Sequence, residues 1–196
     1  MLPYSRTIAA AAILLTTAVP AAAQRPREGR GPVPAPGMGA VGAQITAAIP
    51  NEDSWKNGID VTGSVEGYLS RRVSVRGAVS GAWLDIFGRG FDGTINPVAF
   101  NGNVVYNWEG GRWHPYVTGG AGLYHYRFSE GIKTSSANKF GVDVGGGAEY
   151  FFTRHDTLLG EVLVHSVPGT VTSGVTTYEK PSYWTLSGGY KKYFGK

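Results

Sequence analysis

From Met38 to Phe194 apolar and polar residues alternate with a period of two in eight runs. Each run is bounded by Gly, Pro, Asn, Ser or charged residues, and none shows the repeat of an amphipathic helix. The pattern predicts strands at Gly39–Ile49, Ile59–Leu69, Val73–Leu84, Ile95–Trp108, Trp113–Phe128, Lys139–Phe152, Thr157–Val167 and Ser182–Phe194. Most reach the ~9–11 residues a tilted strand needs to cross a bilayer, whereas soluble strands average about five or six. The third run sets Val73, Val75, Gly77, Val79, Gly81 and Trp83 on one face against Ser74, Arg76, Ala78, Ser80 and Ala82. The sixth sets Phe140, Val142, Val144, Gly146, Ala148, Tyr150 and Phe152 against Gly141, Asp143, Gly145, Gly147, Glu149 and Phe151. An outer-membrane barrel turns its apolar face to lipid and a soluble barrel turns it inward, so alternation alone leaves both open.

Aromatic residues and connectors favour the membrane orientation. Tyr68, Trp108, Trp113, Tyr116, Phe151, Phe152, Tyr193 and Phe194 fall near one set of strand ends. Trp83, Phe87, Tyr124, Tyr126, Phe128, Phe140, Tyr183 and Trp184 fall near the other, as two interfacial girdles would. Short connectors at Ser70–Arg72, Glu109–Arg112 and Thr153–Asp156 alternate with longer ones at Pro50–Gly58, Ile86–Thr94, Ser129–Asn138 and Pro168–Pro181. Such alternation is expected of periplasmic turns and external loops. A shift of 83 positions also superposes Asp60, Val61, Gly63, Glu66, Arg71, Gly77 and Val79 on identical residues from Asp143 to Val162. This maps the second hairpin onto one four strands later, consistent with eight strands in all.

Composition narrows the class. Thirty glycines, 12% aromatic and 16% charged residues among 196 exclude a chain disordered throughout, and the lack of cysteine excludes a disulfide scaffold or thiolate metal site. Arg6, the apolar run Ile8–Leu15 and Ala21-Ala22-Ala23 read as a secretory signal peptide over residues 1–23, cleaved before Gln24. Residues 24–37 carry Arg25, Arg27, Arg30, Pro32, Pro34 and Pro36 and read as a flexible, solvated linker, with the barrel at 38–196. Their charge does not call for nucleic acid.

The membrane orientation puts Asp60, Glu66, Asp143, Glu149 and Glu161 inside with Arg76, Lys191 and His165, an ionic cluster that must pair within a narrow interior. Arg76 is expected to meet Glu66 and Lys191 an acid, giving a polar plug; the competing reading is a narrow cation-preferring path. His125, His165, Asp143, Ser80, Ser129 and Ser166 are candidate acyl-transfer groups, but no spacing brings a nucleophile, base and acid together. His114 and His155 read as solvated or interfacial, and the histidines show no paired ligand spacing. Gly145-Gly146-Gly147 lacks the strand-loop-helix setting of a phosphate cradle and reads as room under a crowded wall. No catalytic, cofactor or metal residues are assigned.

Pro115-Tyr116-Val117 leading into Gly119-Gly120-Ala121-Gly122-Leu123, the Glu149–Arg154 turn and the closing Gly189-Tyr190-Lys191-Lys192-Tyr193-Phe194 resemble the small outer-membrane β-barrel domain family, the OmpA/OmpX-type eight-stranded barrels. The resemblance implies an all-β, eight-stranded antiparallel up-and-down transmembrane barrel. It also implies that Tyr190 and Phe194 form the signal read by the barrel-assembly machinery, although Lys192, Gly195 and Lys196 depart from the usual pattern. With only Gly195 and Lys196 after Phe194, no peptidoglycan-anchoring domain is expected. The partners expected are outer-membrane lipid, the assembly machinery and an extracellular ligand or host surface met through the loops, where Thr170–Thr177 offers an exposed edge. The reading is a non-enzymatic envelope or adhesion protein. The alternatives are a soluble lipocalin-like barrel with an apolar ligand, and a narrow passive pore.

Overall fold

The computed structural model describes residues 34–51, 57–88, 91–108, 111–130, 133–168, 170–173, 176–179 and 182–195. The expected signal peptide, residues 1–23, and residues 24–33 of the expected linker lie outside them. The strands are β1 (Gly39–Pro50), β2 (Gly58–Tyr68), β3 (Val73–Gly88), β4 (Phe91–Asn107), β5 (Trp113–Glu130), β6 (Lys133–Phe151), β7 (Asp156–Ser166), β8 (Thr170–Ser173), β9 (Thr176–Glu179) and β10 (Ser182–Phe194). Eight close into an antiparallel barrel in the order β1-β10-β7-β6-β5-β4-β3-β2, and β8 and β9 form a separate hairpin.

The register defines the barrel's shape. Starting at Gly39 and stepping through its partners Gly67, Val75, Val104, Gly119, Val144, Val164 and Trp184, the path returns to β1 at Ile49, ten residues further on. Eight strands with that stagger tilt by about 40° and enclose a narrow lumen, wide enough for side chains or one small ligand. The short turns are built locally. Ser70 Oγ accepts from the Val73 amide at 2.9 Å, Thr153 Oγ1 accepts from the Asp156 amide at 3.0 Å, and Gly111 takes φ +76°, a conformation that favours glycine.

Strand enters three of the predicted longer loops, Pro168–Pro181 holding the β8–β9 hairpin. β3 and β4 stay paired up to Gly88 and Phe91, within the expected Ile86–Thr94 loop, and β5 and β6 up to Glu130 and Lys133, within Ser129–Asn138. Outside the lipid band the ladder needs only paired backbone groups, so the apolar alternation stops before the strand does.

Burial orients the alternation. Ile45 is 69% exposed, Val65 62%, Leu123 61% and Val144 61%, while Glu66, Arg76, Glu149 and Lys191 are buried. Burying such an aliphatic side chain is worth about 1.5–3 kcal/mol, so a whole belt of them exposed to water would be prohibitive. The belt therefore faces lipid, and the soluble lipocalin-like alternative is overturned because its apolar lining would have to be inside.

The girdle expectation needs correction. Trp108, Trp113, Phe152 and Phe194 at one end and Trp83 and Phe140 at the other are exposed, but Tyr68, Tyr116, Tyr124, Tyr126, Phe151, Tyr183 and Tyr193 point into the lumen and are buried. Nearness to a strand end sets a residue's height, whereas its parity along the strand sets its face. The side chains of Phe87 and Phe128 lie outside the described residues.

Candidate functional site

Strand parity delivers the site. Glu66 on β2, Ser74 and Arg76 on β3, Tyr116 on β5, Glu149 on β6, Glu161 on β7, and Lys191 and Tyr193 on β10 all sit on inward positions and are buried. Arg76 donates through Nε to Glu66 Oε2 at 3.2 Å and through Nη1 to Glu161 Oε2 at 2.6 Å. Glu66 belongs to the neighbouring strand, whereas Glu161 belongs to β7 on the far side of the barrel. Lys191 Nζ donates to Glu66 Oε2 at 2.7 Å and to Glu149. Hydroxyls fill further acceptor sites: Tyr116 donates to Glu161 at 2.9 Å, Ser74 to Glu66 and Tyr193 to Glu149. Three carboxylates and two cations thus form one lattice braced across the lumen, and each carboxylate also accepts from a hydroxyl. Such pairing is the condition for holding ionised groups away from water.

The other three members of the expected ionic cluster point inward but stand apart from this lattice. Asp60 accepts from Thr62 at 2.8 Å, and Asp143 accepts from Asn103 Nδ2. His165 is held on both ring nitrogens, Nδ1 by the Tyr124 hydroxyl at 3.0 Å and Nε2 by Thr185 at 3.3 Å, and stacks on Tyr183 at 4.5 Å. Between these groups and the lattice lies a cavity of about 40 Å³ bordered by Gln44, Thr46, Asp60, Arg76, Asn103 and Ser187. It has room for about two or three waters.

Aromatic layers flank the polar interior at both ends. Tyr124, Tyr126, Tyr183 and Val167 pack with Ala48, Ala82 and Ala99 on the loop side. Met38, Ala40, Tyr68, Phe151 and Tyr193 pack on the turn side, where the Tyr68 and Tyr193 hydroxyls bond at 2.9 Å. Residues 34–37, read as the end of a flexible linker, fold into this layer: Ala35 packs on it and the Gly37 amide donates to Tyr68 O at 3.0 Å. His114 is buried against Phe151 at 4.7 Å, not solvated, because it too has inward parity.

Inward glycines make room for this content. A Cβ on Gly147 would meet the Tyr116 hydroxyl at 2.7 Å, and one on Gly189 the Gln44 side chain at 2.8 Å. Tyr116 pairs with Gly147 and Gln44 with Gly189 across the strands, so each bulky side chain lies over the bare backbone of its neighbour. Tyr116, Tyr193, Ser74 and Asn103 are among the lattice and cavity groups outside the expected ionic cluster; parity from Arg76 and Lys191 on the same strands reaches Ser74 and Tyr193, whereas Tyr116 on β5 and Asn103 on β4 share a strand with no member of that cluster and depend on the register.

The candidate acyl-transfer residues do not converge. Ser166 points outward, opposite to its neighbour His165, and His125 bonds Asn138 at 2.6 Å on the outer face. Ser80 borders the cavity, and the Ser129 side chain lies outside the described residues. Tyr190 and Phe194 face outward on β10, the strand that pairs with β1 to close the barrel, and Lys192 pairs there with Asp156 at 3.4 Å.

A closed eight-stranded barrel with a lipid-facing apolar belt and an ion-paired interior defines an integral outer-membrane β-barrel protein. The family model described as "Outer membrane protein beta-barrel domain" matches residues 8–191, and the chain belongs to that family. No curated protein sequence matches it. Among solved structures it is similar to Neisserial surface protein A, with a TM-score of 0.63 and 16% identity over 81% of this chain and 99% of that one. It is also similar to OprG from Pseudomonas aeruginosa, with a TM-score of 0.60 and 14% identity over 85% and 100%. Ail, the attachment invasion locus protein of Yersinia pestis, has a TM-score of 0.51 and 15% identity over 80% and 99%. The protein is located in the outer membrane.

Proposed function

We propose that this barrel is sealed and non-enzymatic, and serves as a structural and interaction element of the outer membrane that meets partners through its outward hairpins. The observation that carries the reading is the lattice in which Arg76 and Lys191 tie Glu66, Glu149 and Glu161 across the lumen, between two aromatic layers. A path for ions or solutes would have to break these pairs. β3–β4 and β5–β6 carry ordered backbone beyond the apolar band, and β8–β9 adds a further hairpin at that end. The fold shared with proteins named for the cell surface and for attachment supports a role for these hairpins at the surface. Outer-membrane lipid surrounds the belt, and the barrel-assembly machinery is the partner in folding, with Tyr190 and Phe194 on its recognition strand.

The test is electrical. Protein reconstituted in planar bilayers should add no stepwise conductance, and liposomes carrying it should not swell in small sugars. Steady channels from the unmodified protein would refute the sealed reading and favour the narrow pore.

A further inference from the structure

The charges of the segments that link the strands are unevenly divided along the sequence. The longer segments 51–57, 85–94, 127–139 and 168–181 hold six acids and six bases. The short-turn end instead carries Arg71 and Arg72 in the first turn, Arg112 in the second, Arg154 in the third and Lys192 on β10, against Glu109 and Asp156. These five bases are exposed. Asp156 is already engaged by Lys192 at 3.4 Å, Thr153 at 2.5 Å and Tyr190.

Height matters as much as charge. Outward aromatics mark the interface at this end: Tyr106 against Trp108 at 5.0 Å, Trp113 against Tyr150 at 5.0 Å, and Phe152 against Tyr190 at 6.3 Å. Trp and Tyr settle at the level of lipid headgroups. Arg112 directly precedes Trp113, Arg154 follows Phe152 by two residues and Lys192 follows Tyr190 by two, which sets these cations next to the aromatic residues in the chain. Hydrogen bonds within the turns, from the Arg72 amide to Ser70 Oγ at 3.2 Å and from the His155 amide to Thr153 Oγ1 at 3.1 Å, hold the backbone that carries them.

We infer that this ring of bases is a docking surface for anionic phospholipids of the periplasmic leaflet, whose phosphates it gathers around the barrel's lower rim. Guanidinium groups suit phosphate because they present several donors in one plane. A basic residue close to an anionic bilayer surface attracts it, and the attraction is screened by salt.

The test compares urea unfolding of the protein in phosphatidylcholine vesicles with unfolding in vesicles where about a third of the lipid is phosphatidylglycerol. The anionic lipid should move the unfolding midpoint to higher urea. Roughly 1 M salt, which shortens the screening length to about 3 Å, should remove the rise. An Arg71→Ala/Arg112→Ala/Arg154→Ala variant, verified as folded by its heat-modifiable mobility, should lack the rise, while Arg127→Ala on the outward face of β5 should keep it. A wild-type midpoint indifferent to the anionic lipid, or a rise that survives salt, overturns the inference without recourse to any variant. A rise retained by the triple variant, or lost in Arg127→Ala, overturns it as well. Arginine-dependent sedimentation with purified peptidoglycan, in the absence of any lipid effect, reassigns the ring to the wall polymer.

Discussion

Replacing Arg76 with Ala tests the lattice at its widest span. Arg76 is 4% exposed and joins Glu66 on the adjacent strand to Glu161 across the lumen, so its loss leaves Glu161 with the Tyr116 hydroxyl and three buried carboxylates facing Lys191 as the one remaining lattice cation. Removing one partner of a buried pair costs about 3–5 kcal/mol, chiefly because the other charge is stranded. That corresponds to a factor of roughly 10² to 10³ or more in the unfolding equilibrium. The assay is urea unfolding in lipid vesicles, followed by tryptophan fluorescence and by mobility in SDS with and without boiling. Glu161→Gln alone should also destabilise, because it frees a donor of Arg76. The Arg76→Ala/Glu161→Gln double variant should be more stable than the two single losses added together, with a coupling of about 0.5–3 kcal/mol for groups in direct contact. An unchanged midpoint for Arg76→Ala, or strictly additive losses in the double variant, would refute the claim that this pair braces the barrel.

Two further outcomes follow from the same geometry. Gly147→Val would drive a branched side chain into Tyr116 and the Gly160 backbone, so it should destabilise by about 1–3 kcal/mol or more and lower the temperature at which the heat-modified band appears. Gly188→Val, at an outward glycine with nothing near its Cβ position, should leave that temperature nearly unchanged. Val144→Arg, on the lipid face at 61% exposure, should cost about 2–4 kcal/mol if it lies near the bilayer midplane, read by the same urea titration. A surface valine in water would tolerate that change, so a neutral result would count against the membrane orientation.

Much of this protein is legible along the chain because a strand's period of two is local. Val75, Val79, Val142 and Val144 on one parity and Arg76, Asp143 and Glu149 on the other show two chemically distinct faces, and the eight runs, the tight turns and the charged composition of one face follow without knowledge of any contact. The tertiary structure decided what depends on closure. Counting along β3 cannot reveal that Arg76 reaches Glu161, 85 residues away on β7, because that meeting depends on the ten-residue stagger accumulated around the barrel. The same applies to Tyr116, Tyr124 and Tyr193, which resemble interfacial aromatics by position yet fill the lumen over inward glycines or beside buried acids. It applies also to the outer hairpins, where the ladder continues after the apolar pattern ends. Periodicity is written residue by residue, whereas a packed interior is a property of all eight strands at once, and only their joint register says which side chain finds which partner.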